Sequence, residues 1–178
     1  ESILNTGTHL QVRHFEAIQP PQLYNHNVEI FGEFVPWKYP QEQSQNRLDL
    51  STGLFLKSYA ANDPKRVIAC ALSHMKLWKW SADNNQTITI LEHDAIFGKK
   101  FDVEEYLYDA AWGVLGLNDP RGNTRKGQLF HSIVSAGDGI RSVPNVDTTE
   151  EPPLPMGIAG NSAYVIRPFA ARELLKKC

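Results

Sequence analysis

The sequence predicts an α/β fold, a sandwich of helices on a mostly parallel sheet. Three observations predict it. The stretch from Arg66 to Phe97 reads as a long helix, a polar turn and a buried strand. The elements around it follow the order strand, helix, strand, helix, strand, strand, helix, which suits strands joined by helical crossovers. The chain of 178 residues is 42% hydrophobic and 21% charged. That is ordinary for a soluble globular domain and sufficient for one core.

The central stretch supplies the clearest elements. Asn62 or Asp63 can cap the helix and Pro64 suits its first turn. Val67, Cys70, Ala71, His74, Leu77 and Trp78 recur at three- and four-residue spacing and so share one face. Asp83-Asn84-Asn85 breaks the pattern. Thr87 to Leu91 is β-branched and apolar, as a sheet strand should be. Glu92-His93-Asp94 follows at once. Ligands of open α/β sheets collect beyond the carboxyl ends of strands, where carboxylates can hold a hard divalent cation.

The other elements follow in order. Leu10 to Ile18 alternates in part and reads as a strand running into a loop. Asn27 to Phe31 reads as a short strand within a region rich in proline, asparagine and glutamine. Leu48 to Tyr59 is ambiguous, with apolar residues able to pack under the main helix. Val103 to Leu115 has an apolar stripe of Val103, Leu107, Ala110, Ala111 and Val114 behind Asp102 as a cap, which predicts a helix. Leu129 to Val134 reads as a strand, followed by the loop 135–139 that carries Asp138. Arg141 to Met156 is a long loop with four prolines. Gly157 to Asn161 leads into a strand over Ser162 to Ile166, and Pro168 opens a final helix ending at Lys176-Lys177, where cations suit the helix dipole. No internal repeat is visible.

Composition excludes several classes. A net charge of −2 gives no overall basic surface for nucleic acid. No apolar run reaches membrane-spanning length and no signal peptide is visible, which points to the cytoplasm. The two cysteines, Cys70 and Cys178, form neither a disulfide framework nor a zinc knuckle. Cys70, on the apolar helix face, reads as a buried, inert thiol.

ACALSHMKLW followed by ILEHDAIF, with GIAGNSAYVIRPFAARELL further on, resembles glycosyltransferase family 25, the lipopolysaccharide and collagen galactosyltransferase type. That family shows a CxLSHxxxW helix, then a strand ending in LEDDA, then a Gly-rich loop, an AY strand and a helix. The resemblance covers roughly Val12 to the C-terminus. It implies a GT-A-like, Rossmann-type sandwich. The implied activity is inverting transfer of a hexose, galactose in the first instance, from a UDP-sugar donor to a hydroxyl of a glycan, lipopolysaccharide or glycoprotein acceptor, assisted by Mn2+ or Mg2+. Phe15-Glu16-Ala17 matches the family's F-x-A step. Family members also open with a strand absent here and continue past the last helix with another acid. The resemblance therefore implies a single domain over 1–178 that lacks an N-terminal strand and a C-terminal segment.

The site residues follow from both sources. Glu92 and Asp94, two apart at a strand end, would face one metal ion, and Asp94 would be the main ligand. Spacing alone fits equally well acids that cap the next turn or pair with Lys99 or Lys100. His93 departs from the family's central aspartate. Ser73 and His74 would lie under the donor pocket, though helical position alone favours a core histidine. The resemblance adds Phe15, Glu16, Ala17, Glu92 and Asn161 to the donor site. A base must take the acceptor's proton. Asp138, Asp147, Glu150 and Glu151 are the loop acids available, and Asp138 joins Asp94 as a candidate catalytic residue. Two rival readings stand beside the transferase. One is a non-catalytic glycan-binding or assembly module that kept the fold, which the EHD substitution favours. The other is a metal-dependent phosphoesterase.

Overall fold

The computed structural model describes residues 11–35, 47–56, 62–98, 104–108, 112–122, 126–156 and 160–177. A proline-led 3-10 turn, Pro20–Gln22, feeds helix α1 (Leu23–Phe31). Prolines suit a helix start because the first N–H groups have no helical acceptor. Gly32 ends α1 in the left-handed region, at φ 82°, and donates its N–H to Val28 O at 2.8 Å. Strands β1 (Arg47–Asp49) and β2 (Leu54–Leu56) pair as an antiparallel hairpin. Helix α2 (Pro64–Asn84) follows. Asp63 caps it, accepting the Arg66 N–H at 3.3 Å. Strand β3 (Ile88–Leu91), helix α3 (Glu104–Leu107) and strand β4 (Val114–Gly116) come next. They precede helix α4 (Gly127–Val134), strands β5 (Val146–Asp147) and β6 (Leu154–Pro155), strand β7 (Ala163–Ile166) and helix α5 (Pro168–Lys177).

The mostly parallel, GT-A-like Rossmann-type sheet is not present among the described residues. Among the described residues every strand pair is antiparallel, in sheets of two or three strands. The largest sheet among the described residues has the order β3-β7-β4. The late strand β7 inserts between β3 and β4 and runs against both, so those two never pair as a crossover would have them do.

Other expectations also give way. Residues 11–19 form no strand. Asn27 to Phe31 lies in α1 rather than in a strand. Leu129 to Val134 belongs to α4, where Phe130, Ile133 and Val134 take helical i, i+3, i+4 spacing. The helix expected over 103–115 is only Glu104–Leu107 among the described residues, and Val114 and Leu115 stand in β4. Trp112 and Gly113, just before β4, pack on the start of the last helix. Arg167 donates its N–H to Gly113 O at 2.9 Å and sets its guanidinium 4.1 Å from the Trp112 ring centre. A Cβ on Gly113 would lie 2.8 Å from the Ala170 Cβ. Asp102, Val103, Ala110 and Ala111 fall outside the described residues. Cys70 is exposed, not buried, and Cys178 also falls outside.

Two compact units divide the chain. One comprises Glu1–Glu16, Leu77–Arg141 and Ile158–Cys178. Its core is Ile90, Tyr164, Ile166, Ala170 and Ala171, with Leu77, Trp78, Ala82, Ile88 and Leu174 packed on it. Trp78 donates its indole N–H to the Tyr164 hydroxyl at 2.7 Å, which satisfies both polar tips at the edge of that core.

The other unit comprises Ala17–Lys76 and Ser142–Gly157. Ile18, Ile30, Ile68, Ala69, Leu72, Met75 and Leu154 are buried there. The buried Asn27 side chain closes the turn after α1, donating to Val35 O at 3.0 Å and accepting the Val35 N–H at 2.8 Å. Lys76 reaches Glu29 at 3.0 Å, and the ammonium first and His26 second hold the Glu29 carboxyl below its ordinary value. Among the described residues no helix is long and apolar enough to cross a membrane.

Candidate active site

The candidate site is built at one end of the three-stranded sheet. β3 and β4 both finish there and β7 begins there. The β3–β7 register pairs Leu91 with Ala163. One residue further, the Glu92 N–H donates to Ser162 O at 2.8 Å. The β4–β7 register pairs Gly116 with Tyr164, and the Leu117 N–H donates to Ala163 O at 3.0 Å. Continuing both ladders sets Glu92, Ser162 and Asn118 in one row across the sheet end. Sequence elements far apart in the chain thus deliver three polar residues to one place.

Beyond that row the β3 strand turns. The Ala95 N–H donates to Glu92 O at 3.1 Å, a bond that closes a turn with His93 and Asp94 at its corner. Glu92 is half-buried, while His93 and Asp94 are exposed. Asp94 therefore reaches the sheet end through a turn, and strand alternation does not set it on one side with Glu92. Asn118 is the polar group that sequence reasoning missed. Its amide donates to Gly160 O at 2.7 Å. Asn118 sits in the turn-rich run after a strand, but its partner lies 42 residues away, so no local pattern marks it.

Just beyond Asn118, Asp119 and Arg121 form a charge pair. Asp119 accepts from the Arg121 N–H at 2.9 Å and from the Arg121 guanidinium. Those bonds, the side-chain ones first, hold the Asp119 carboxyl down at about 2. Both side chains are more than half exposed, so the pair orients the turn more than it stabilises the fold.

The remaining predicted residues lie as follows. Phe15 is half-buried, and Glu16 and Ala17 are exposed, on extended chain before the Pro20 turn. Ser73 is buried; its hydroxyl donates to Ala69 O at 2.8 Å and accepts the Ile18 N–H at 2.9 Å. Those bonds give it a structural task, fastening the Ile18 segment to α2. His74 is buried beside it in sequence. Asn161 is exposed, immediately before Ser162. Asp138 is exposed on the loop after α4, and among the described residues no hydrogen bond joins it to the sheet end. Asp147 is 2% exposed and accepts from the Thr149 N–H at 3.1 Å and its hydroxyl at 2.6 Å, as a turn-forming carboxylate does. Arg66, at the start of α2, pairs with the helix cap Asp63 at 3.1 Å.

The family model described as glycosyltransferase family 25 (LPS biosynthesis protein) matches residues 4–111, more than half of the chain. The chain belongs to glycosyltransferase family 25. The matched range holds α2 with its ALSH run, β3 and the Glu92-His93-Asp94 turn. It starts earlier than the resemblance noted from Val12, and it stops before β7, so the GIAGNSAYVIRPFAARELL block lies beyond it. Searches of curated proteins and of solved structures gave no match. Membership of family 25 makes the chain a glycosyltransferase of the LPS biosynthesis type, with a sugar donor and a glycan or LPS acceptor as its partners.

Proposed function

We propose that this family 25 chain transfers a hexose, galactose in the first instance, from UDP to a hydroxyl of a glycan or lipopolysaccharide, with inversion and with the help of a divalent cation. One observation carries the reading. The family match includes the turn that sets Glu92 and Asp94 at the sheet end, and the backbone there lies beside Ser162 and Asn118.

The donor set suits a hard cation. Glu92 and Asp94 offer carboxylate oxygens, and Mn2+ and Mg2+ prefer oxygen ligands. Bound there, the ion would supply charge to offset that growing on the leaving diphosphate. The chain's own part is binding and orientation. Asp94, exposed in its turn, is free of packing demands that would set its rotamer for the core. The backbone from Gly160 to Ser162 offers N–H and C=O groups, and Asn161 and Ser162 add polar side chains of the kind that bond sugar hydroxyls.

A thermal-shift panel of UDP, GDP and CMP, each with and without Mn2+, tests this. UDP with Mn2+ should raise the melting temperature most, because a ligand at a hundred times its Kd adds about 2.7 kcal/mol of stability. UDP without the metal should do little. A larger shift from GDP or CMP would overturn the UDP assignment. An equal shift with UDP in the absence of metal would overturn the cation's role.

A further inference from the structure

We infer that Asn118 is a positioning residue for donor binding, acting through the peptide that joins Gly160 to Asn161. The inference rests on the transferase reading above. Two ladder bonds, Glu92 N–H to Ser162 O and Leu117 N–H to Ala163 O, fix the start of β7 from residue 162 onward. Residue 160 lies before those bonds. Its carbonyl is held instead by a side chain, the Asn118 amide at 2.7 Å. The two groups also fit each other sterically. Gly160 has φ +98°, a conformation L side chains rarely adopt, and a Cβ built there would lie 3.0 Å from Asn118 Nδ2.

The consequence concerns the next N–H. In a planar trans peptide the carbonyl and the following N–H point in opposite directions. An amide that fixes the Gly160 carbonyl therefore fixes the Asn161 N–H, directed away from Asn118. The ligand class that suits a fixed N–H in this setting is an oxygen of a nucleotide-linked sugar, either a hexose hydroxyl or a diphosphate oxygen. Preorganising the donor group before binding lowers the cost of ordering it in the complex. Asn118 itself need not touch the ligand.

Calorimetric titration with Mn2+ present separates positioning from folding, using whichever of UDP-galactose and UDP-glucose binds the parent more tightly. Asn118→Ala should weaken the Kd roughly tenfold, the worth of about one hydrogen bond, while the number of sites per chain stays at the parent value. Gly160→Ala should weaken it similarly. The double variant should be no worse than either single one, because both act on one contact. A merely structural role would instead lower the number of sites and leave the Kd unchanged. That result, or a parent-like Kd in Asn118→Ala, overturns the inference alone. If the parent binds neither sugar nucleotide, the UDP-hexose reading fails and this inference falls with it.

Discussion

Asp94→Asn should lower turnover by about a hundred- to a thousandfold, the usual cost of losing one preorganised electrostatic contact at a transition state. The melting temperature should hardly move. Asp94 is exposed, and its turn is closed by a backbone bond from the Ala95 N–H to Glu92 O. Asparagine is as welcome in such turns as aspartate. The shape survives, and only the charge that would hold the cation is removed. Asparagine keeps one neutral oxygen, so some weak metal binding should remain. Sugar-transfer kinetics, Mn2+-dependent UDP binding and melting would be measured on one preparation. Activity and Mn2+-dependent binding should fall together. Parent-like binding of UDP and Mn2+ would remove Asp94 from the metal site. A large fall in melting temperature would make it a structural cap.

Leu72→Ala should cost about 2–5 kcal/mol of stability, the range for truncating a buried leucine. Leu72 is completely buried on α2, in a run where Ile68, Ala69 and Met75 are buried too. Total stability of a domain is only about 5–15 kcal/mol, so the change should be plain in a urea titration as a lower midpoint. The same helix turn carries Ser73, whose hydroxyl receives the Ile18 N–H. Loosening Leu72 should therefore also speed amide exchange at Ile18. A cost below about 1 kcal/mol would mean that this face of α2 is not packed as the structure has it.

Local chemistry made some elements readable. α2 announced itself through Asp63, Pro64 and three- and four-residue apolar spacing, and its cap bond is present. β3, β7 and α5 fall within a residue of the expected bounds. Short apolar runs do not distinguish strand from helix. α1 and α4 carry Val28, Ile30, Ile133 and Val134, residues equally at home in strands, and only the flanking Pro20 and Gly32 or the burial of Phe130 decides for helix. Strand direction left no trace in periodicity, because a strand alternates identically whichever way its neighbour runs. The insertion of β7 between β3 and β4 is a tertiary outcome.

The candidate site was legible only in part. Glu92 and Asp94 were visible as acids after a strand, and family membership supports attention to them. The route by which Asp94 gets there, through a turn, was not visible. Asn118 was hidden because its bond to Gly160 spans 42 residues. Cys70 lies with Val67 and Ala71, but the buried face of α2 here is that of Ile68, Ala69, Leu72 and Met75, so Cys70 is exposed.

The most direct test of the account uses the magnetism of the proposed ion. Mn2+ broadens the NMR signals of nuclei close to it. Titrated into the isotope-labelled chain in the presence of UDP, it should first erase the amide signals of Glu92 to Ala95, followed by those of Asn118 and Gly160 to Ser162. Asp94→Asn should need much more metal for the same effect. Broadening that begins instead around Asp138, or around Asp147 and Glu150, with the Glu92 turn untouched, would contradict the placement of the site at the sheet end.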